Sequence, residues 1–394
     1  MQNFEFHSPT RVIFGKETHK DVGRIINEYG YEKIFLHYGQ GSIKENGIYD
    51  EIVKSLADSK IKFCELGGVK PNPELSLVKE GINICINEKV DFVLAIGGGS
   101  VIDSAKLIAL GTLNPETDPW DFSTKVKIPV IGLPHGVILT IASAGSETSA
   151  SCVITNEELK LKRGFNSELN RPLFAVMNPE LTFTVSEFQT GCGVTDILMH
   201  TFERYFQTGE DAELTHSIAE AIMRNVIDAG RKVMENPKDY NARSTLMWAG
   251  SLSHNDLTGV GKNPGLTVHQ LEHEISGEYP QVAHAAGLSV LFPAWGKYVY
   301  KTDVMKFARF AVNVWGCPLI YENPEQTAIE GIEKCREYFK NVLKMPVTLK
   351  ELGIGSEKFE EMAVKCTNYG KRKIIGITEL EREHIIEIFK ISLS

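Results

Sequence analysis

A long apolar run is the first thing this sequence lacks. Nowhere do about 18 apolar residues stand together, the length a membrane-spanning helix needs. The opening MQNFEFHSPTRVIFG has no basic segment leading into an apolar one. A soluble, cytoplasmic protein is expected. Basic runs are missing too: the net charge is -9, with Lys and Arg scattered among Asp and Glu. That argues against nucleic acid or an anionic membrane as partner and leaves small molecules. The seven cysteines (Cys64, Cys85, Cys152, Cys192, Cys317, Cys335, Cys366) are odd in number, widely spaced and without a CxxC pair. Neither a disulfide framework nor a thiolate zinc site is indicated, and they read as small buried hydrophobes. Internal repeats and low-complexity segments are also absent. With 42% hydrophobic and 24% charged residues the chain is globular rather than disordered, and its length suggests about two domains.

What is present falls into two halves. RVIFG, KIFLHYG, KFCEL, FVLAIGGG, PVIGLP, ASCVIT and LFAVMNP are short β-rich runs, separated by amphipathic segments such as KDVGRIINEYG and NGIYDEIVKSLADS. Strands spaced by helices predict an α/β domain with a doubly wound, mostly parallel sheet. From about Thr184 helical patterns follow one another, which predicts an all-α domain. The boundary falls in NPELTFTVS, dividing residues 1–184 from 185–394.

DFVLAIGGGSVIDSAKLIAL joins an apolar strand to a helix through Gly97, Gly98 and Gly99. Glycines at such a turn let backbone N–H groups approach a phosphate, and the helix N-terminus adds its positive dipole end. Ser100 offers a hydroxyl. Asp103, in the first turn, either meets a ribose hydroxyl or complements the helix dipole. The turn matches neither G-x-G-x-x-G nor Walker A, so alone it is equally a tight turn. TIASAGSETSAS, Thr140 to Ser151, is small and hydroxyl-rich, suited to wrapping an elongated polar ligand or else a solvated loop. LHYGQGSIKENG places Gly39, Gln40, Gly41, Ser42 and Lys44 where many NAD sites carry a ribose-binding acid. Gly, Ser and Lys accept a 2′-phosphate that a carboxylate would repel, so NADP(H) is favoured over NAD(H).

Asp196 and His200, in GVTDILMHTFERYF, are i and i+4 on a predicted helix, with Cβ atoms roughly 5–6 Å apart. An isolated pair of this kind is more readily a core histidine held by its acid. VHQLEHEISGEYPQVAHAAG adds His269, His273 and His284, three of the 11 histidines within 16 residues. Three imidazoles and one carboxylate suit Zn²⁺ or Fe²⁺ better than Mg²⁺ or Ca²⁺. HQLEH also matches the inverted zinc-peptidase motif H-x-x-E-H, in which His269 and His273 ligate and Glu272 is the general base. A peptidase, however, has no use for the Gly-rich half of the chain.

With these residues assembled, the chain resembles the iron-containing alcohol dehydrogenase family over essentially its whole length, and most of all its butanol dehydrogenase and NADPH-dependent aldehyde reductase branch. The resemblance rests on FEFHSPTRVIFG, YGQGSIKENGIYD, AIGGGSVIDSAK, KRGFNSELNRPLFAVMNPELT, DILMHTFERYF and HQLEHEISGEYPQVAHAAGLSVLFPAW. It implies that Asp196, His200, His269 and His284 hold one divalent metal, Fe²⁺ or Zn²⁺. His273 is then a non-ligand histidine beside the nicotinamide and substrate. The resemblance further implies Gly98, Gly99 and Ser100 at the pyrophosphate, Thr140 and Ser143 on the nicotinamide side, Lys162 at a ribose hydroxyl, and Gly39 and Ser42 around the adenosine 2′ position. A homodimer is implied, each chain a Rossmann-like domain and a helical one with the site in the cleft between. The expected activity is metal-dependent interconversion of short-chain primary alcohols such as butanol and their aldehydes.

Where the family usually has His-Gly at the last ligand and Asp before Pro179, this chain has His284-Ala285 and Asn178, and an Asn still caps a turn. Phe202 and Trp248 are read as core packing in preference to setting substrate size. Three other readings stay open: a metal- and NAD-dependent lyase of the dehydroquinate synthase-like type, a zinc peptidase, and a nucleotide-binding protein without catalysis.

Overall fold

The computed structural model describes residues 1–209 and 212–394. Its strands are β1 (Arg11–Phe14), β2 (Lys33–Gly39), β3 (Lys62–Val69), β4 (Phe92–Gly97), β5 (His135–Leu139), β6 (Ser151–Asn156), β7 (Leu161–Asn166) and β8 (Phe174–Met177). Six of them form one wholly parallel sheet in the order β1-β8-β5-β4-β2-β3. The middle strands β2, β4 and β5 are near-continuous apolar runs buried on both faces, as a parallel sheet requires.

Alternation decides which residues meet which helices. Ile34, Leu36, Phe92, Leu94, Ile96 and Val176 lie in one core with Val22, Ile25 and Ile26 of the helix Val22–Glu28 and Ile48, Ile52 and Leu56 of the helix Ile48–Asp58. Each such fully buried side chain contributes roughly 1.5–3 kcal/mol relative to exposure. Phe35 points the other way, toward the crossing of the helices Leu75–Glu88 and Gly99–Thr112. A Cβ added at Gly81 there would stand 2.5 Å from Ile108 and 3.5 Å from Phe35. Helices therefore cover both faces, and the sheet is doubly wound.

Two expected strands differ. PVIGLP is not one: residues 129–134 have no regular structure, Val130 is 84% exposed, and β5 begins only after Pro134. Pro129 and Pro134 lack the N–H that a central ladder needs. ASCVIT supplies β6, but as half of an antiparallel hairpin outside the main sheet, with β7 (LKRGFN) as its partner.

The chain divides into one unit of residues 7–185 and another of residues 1–6 with 186–394. The six opening residues thus group with the helices, not with the α/β part as a division at 184 has it. Gln2 N–H donates to the Gly261 carbonyl at 3.2 Å, which ties them there. Ser186 starts the helical unit by capping the helix Glu187–Phe206, its hydroxyl accepting from Gln189 N–H at 3.2 Å. Just before it, Asn178 does cap its turn, accepting from Glu180 N–H at 3.0 Å. The helices Glu213–Glu235, Tyr240–His254, Thr267–Glu278, His284–Val299, Val304–Trp315 and Pro324–Glu337 follow. Phe202 is core packing, with ring centres 4.9 Å from Phe292 and 5.1 Å from Phe310. Trp248 is 44% exposed, so core packing does not describe it. No helix among the described residues is long and apolar enough to cross a membrane.

Candidate metal centre and nucleotide loops

The helix Glu187–Phe206 carries Asp196, His200 and Glu203 at spacings of four and three, hence on one face. All three are buried. His269, on the helix Thr267–Glu278, meets that face: the ligand atoms of Asp196, His200 and His269 all lie within 4.8 Å of one another. His284 opens the helix His284–Val299, with its ring centre 5.2 Å from that of His269. Its ligand atom groups with those of Glu272 and His273, again within 4.8 Å. Three of the four implied metal ligands therefore converge tightly, and the fourth stands beside them. His273 lies with its ring centre 5.7 Å from that of His284.

The ring nitrogens show whether these residues fit a cation. His200 Nδ1 faces the Asp196 carbonyl at 2.9 Å, His269 Nδ1 faces the Glu203 carboxylate, and His284 Nδ1 faces the Glu272 carboxylate. Carbonyl and ionised carboxylate oxygens only accept, so each Nδ1 carries a proton and Nε2 is the nitrogen each ring would offer a cation. His269 Nε2 is buried, stands 3.6 Å from Asp196 Oδ1, and makes no hydrogen bond among the described residues. Leaving such a group unsatisfied costs roughly 1–3 kcal/mol, which a bound cation removes. Histidines whose second nitrogen is held by a carboxylate or carbonyl are the usual ligands of divalent metals. Nitrogen donors with one carboxylate fit Fe²⁺ or Zn²⁺.

The electrostatics agree. Burial alone raises the Asp196 pKa, but the imidazoles of His200, His269 and His284 outweigh it and keep the group an anion, far below the usual carboxylate range. Burial holds His200 neutral. For His269 burial works against protonation, yet Glu203 and Asp196 prevail and lift it to about 9.

Three neighbours go unread in the sequence as supports of these histidines, Glu203 and His254 without any signal and Glu272 signalling only the peptidase motif. Glu203 and Glu272 reach ring nitrogens 66 and 12 residues away, and the His254 ring centre lies 4.0 Å from that of His200. The position of Glu272 also removes the peptidase geometry. Its side chain is fully buried and receives the Ser276 hydroxyl and His284 Nδ1, whereas a general base must face the water it deprotonates. His269 and His273, moreover, fall in different ligand groups.

In the α/β unit, β4 ends at Gly97 and the helix Gly99–Thr112 starts immediately after the Gly98 cap. A Cβ at Gly98 would stand 3.3 Å from Ile141, and one at Gly99 3.2 Å from Ala144. The small-residue loop carrying half-buried Thr140 and Ser143 therefore packs on the turn carrying Ser100, and Thr140 N–H donates to the Gly97 carbonyl at 3.1 Å. Asp103 lies beyond the first turn of its helix, so it does not complement the dipole as expected. It accepts from the Ser146 hydroxyl at 2.5 Å and Val153 N–H at 2.9 Å, so it ties its helix to that loop. Lys162 is buried and donates to Asn72 Oδ1 at 2.9 Å, a partner the expected ribose hydroxyl would have to share or displace. Gly39 ends β2 and Ser42 opens the short helix Ser42–Glu45, after Gly41 at φ 133°, a conformation that favours glycine. Lys44 already has partners: its ammonium sits over the rings of Tyr38 (4.8 Å) and Tyr49 (4.4 Å) and 3.3 Å from Glu65 on β3.

Residues 9–179 match the model of the iron-containing alcohol dehydrogenases, and residues 190–393 match the C-terminal model of the Fe-containing alcohol dehydrogenase family. The chain is 42% identical over 391 residues to NADH-dependent butanol dehydrogenase A of Clostridium acetobutylicum, covering 99% of each. It is 31% identical to the NADPH-dependent aldehyde reductase YqhD of Escherichia coli, covering 98% of this chain and 97% of that one. The crystal structure of NADH-dependent butanol dehydrogenase A from Thermotoga maritima matches with a TM-score of 0.95 at 37% identity, over 100% of this chain and 99% of that one. Fold, buried histidine cluster and both family matches lead to one conclusion: the chain belongs to the iron-containing alcohol dehydrogenases, metal- and nicotinamide-dependent oxidoreductases that interconvert alcohols and aldehydes.

Proposed function

We propose that this enzyme reduces short-chain aldehydes such as butanal with NAD(P)H, and oxidises the corresponding primary alcohols in reverse. The observation that carries this is the buried set Asp196, His200 and His269 beside His284, with each imidazole held at Nδ1 by a carbonyl or carboxylate oxygen. These four residues would hold one divalent ion. Such an ion supplies Lewis-acid polarisation of a carbonyl oxygen, and the reduced nicotinamide supplies a hydride. The overall step consumes one proton: aldehyde, NAD(P)H and H⁺ become alcohol and NAD(P)⁺. His273, close to the ligand set without belonging to its tight core, delivers that proton, the task for which imidazole is suited near neutral pH.

In this reading residues 1–184 bind the nucleotide and 185–394 the metal and substrate. Gly98, Gly99 and Ser100 cradle the pyrophosphate with the helix N-terminus behind them, Thr140 and Ser143 line the nicotinamide side, and Gly39 and Ser42 surround the 2′ position. Both NADH and NADPH are used. No carboxylate ends β2, which admits a 2′-phosphate, while Glu65 partly neutralises Lys44 and lowers the advantage of NADPH. Relatives carry both names, NADH-dependent in C. acetobutylicum and NADPH-dependent in E. coli. A cytoplasmic homodimer belongs to the same reading and rests on the family resemblance. The ligand assignment is tested by metal analysis of His200→Ala: the variant keeps its helix content and loses the ion, and full metal content in it overturns the assignment.

A further inference from the structure

We infer that Glu203 is a positioning residue, one buried carboxylate that both caps the helix Thr267–Glu278 and aims His269 Nε2 into the ligand cluster. The inference rests on the metal reading above. A helix begins with N–H groups that lack intrahelical partners, and here the N-cap residue is Leu266, which has no side-chain acceptor to offer. Glu203 fills that place from another helix: it accepts from Val268 N–H at 2.5 Å and His269 N–H at 3.2 Å. An anion at this end is also favoured by the helix dipole. The same carboxylate takes His269 Nδ1. Asp196, His200 and Glu203 ride on one helix, so Glu203 is the tie that docks His269 against the two ligands already in place.

The second consequence concerns the ring proton. A carboxylate can only accept, so a proton stays on Nδ1 and Nε2 is the nitrogen that gives up its proton to a metal. A glutamine of the same shape still accepts from the backbone N–H groups through its oxygen. Its NH₂, however, can donate to a bare Nδ1, and the ring proton then moves to Nε2, the atom a metal needs. Outer carboxylates of this kind typically change metal affinity by roughly 10–100-fold.

The test uses the full chain stripped of metal, as wild type, Glu203→Gln, Glu203→Ala and His200→Ala, titrated with Zn²⁺ against a chromophoric chelator, with thermal unfolding of each metal-free form. The expected result is one tightly held Zn²⁺ in the wild type and roughly 10–100-fold weaker binding in a folded Glu203→Gln. The metal-free Glu203→Gln should also unfold at a higher temperature than Glu203→Ala, which loses the cap as well. Because the Gln variant keeps a backbone acceptor, it decides the matter even where the Ala variant fails to fold. Wild-type affinity in Glu203→Gln overturns the positioning role and leaves the metal reading standing. A wild type that binds no Zn²⁺ overturns the metal reading, and this inference with it.

Discussion

Gly287 leaves the space that the Glu272 side chain fills: a Cβ there would stand 2.7 Å from Glu272 Cγ and 3.0 Å from Oε1. Glu272 in turn receives His284 Nδ1, so a missing methyl on one helix sets the orientation of an imidazole at its start. Gly287→Ala should cost about 1–3 kcal/mol of stability through overpacking and loosen the hold on His284. Thermal unfolding with and without Zn²⁺ checks this. An unchanged melting temperature and undiminished metal retention would show that Glu272 has room to move.

Metal binding should release a proton. In the metal-free protein His269 holds its proton up to about 9, because Glu203 and Asp196 outweigh the opposing effect of burial. A ligand nitrogen must be bare, so at neutral pH the ion displaces about one proton, and affinity falls roughly tenfold per unit as pH drops below that value. For the metal-free fold the sign runs the other way. The raised pKa adds stability in full below 6.5, and this is lost as pH climbs through about 9. Calorimetric zinc titrations in buffers of different ionisation enthalpy measure the release directly, and a buffer-independent enthalpy contradicts it.

Lys106 anchors the small-residue loop. It has no solvent exposure and donates to the carbonyls of Ser146 (2.7 Å), Ser149 (3.1 Å) and Ser151 (2.7 Å), with Asp103 at 3.9 Å. Lys106→Met leaves those oxygens and Asp103 without a cation, a loss of about 3–5 kcal/mol. Since the loop packs on the Gly98–Gly99 turn, KM for NAD(P)H should rise more than kcat falls. An unchanged KM in a folded variant would separate this loop from the cofactor.

Glu65 and Lys44 set the balance between the two cofactors. Glu65→Gln frees the ammonium of Lys44 and should raise kcat/KM for NADPH relative to NADH by a factor on the order of a few-fold, as expected for an exposed pair. Lys44→Ala should lower the same ratio. If neither moves it, the Gly39–Lys44 loop does not meet the 2′ position.

Much of this architecture is legible in sequence because it is written in short-range patterns. KIFLHYG and FVLAIGGG read as buried strands from composition alone, and the helix carrying Asp196 and His200 follows from 3.6-residue periodicity. PVIGLP misleads because its apolar residues outvote the two prolines that keep it out of the ladder. LKRGFN is too polar to announce β7, which exists because Cys152 and Ile154 of β6 give it a buried partner. The side chains behind the histidines are the hardest to foresee. Glu203 is an ordinary helical glutamate until Val268 and His269 arrive from 65 residues on. Asp103 reads as a residue of the nucleotide turn, and only the fold reveals that it also receives Ser146 and Val153.

The central claim is that hydride transfer here depends on an ion held by the Asp196–His200–His269–His284 set. The most direct measurement follows the near-ultraviolet absorbance of NADPH and of NADH with butanal, using wild type and His200→Ala, each with chelator and after addition of Fe²⁺ or Zn²⁺. The prediction is loss of absorbance in the wild type that the chelator stops and the metal restores, and none in His200→Ala under any condition. Turnover at the wild-type rate in the chelated enzyme or in His200→Ala would contradict the claim. An enzyme that holds both metal and cofactor yet oxidises neither nucleotide with any short aldehyde would contradict the reductase reading and point to a lyase.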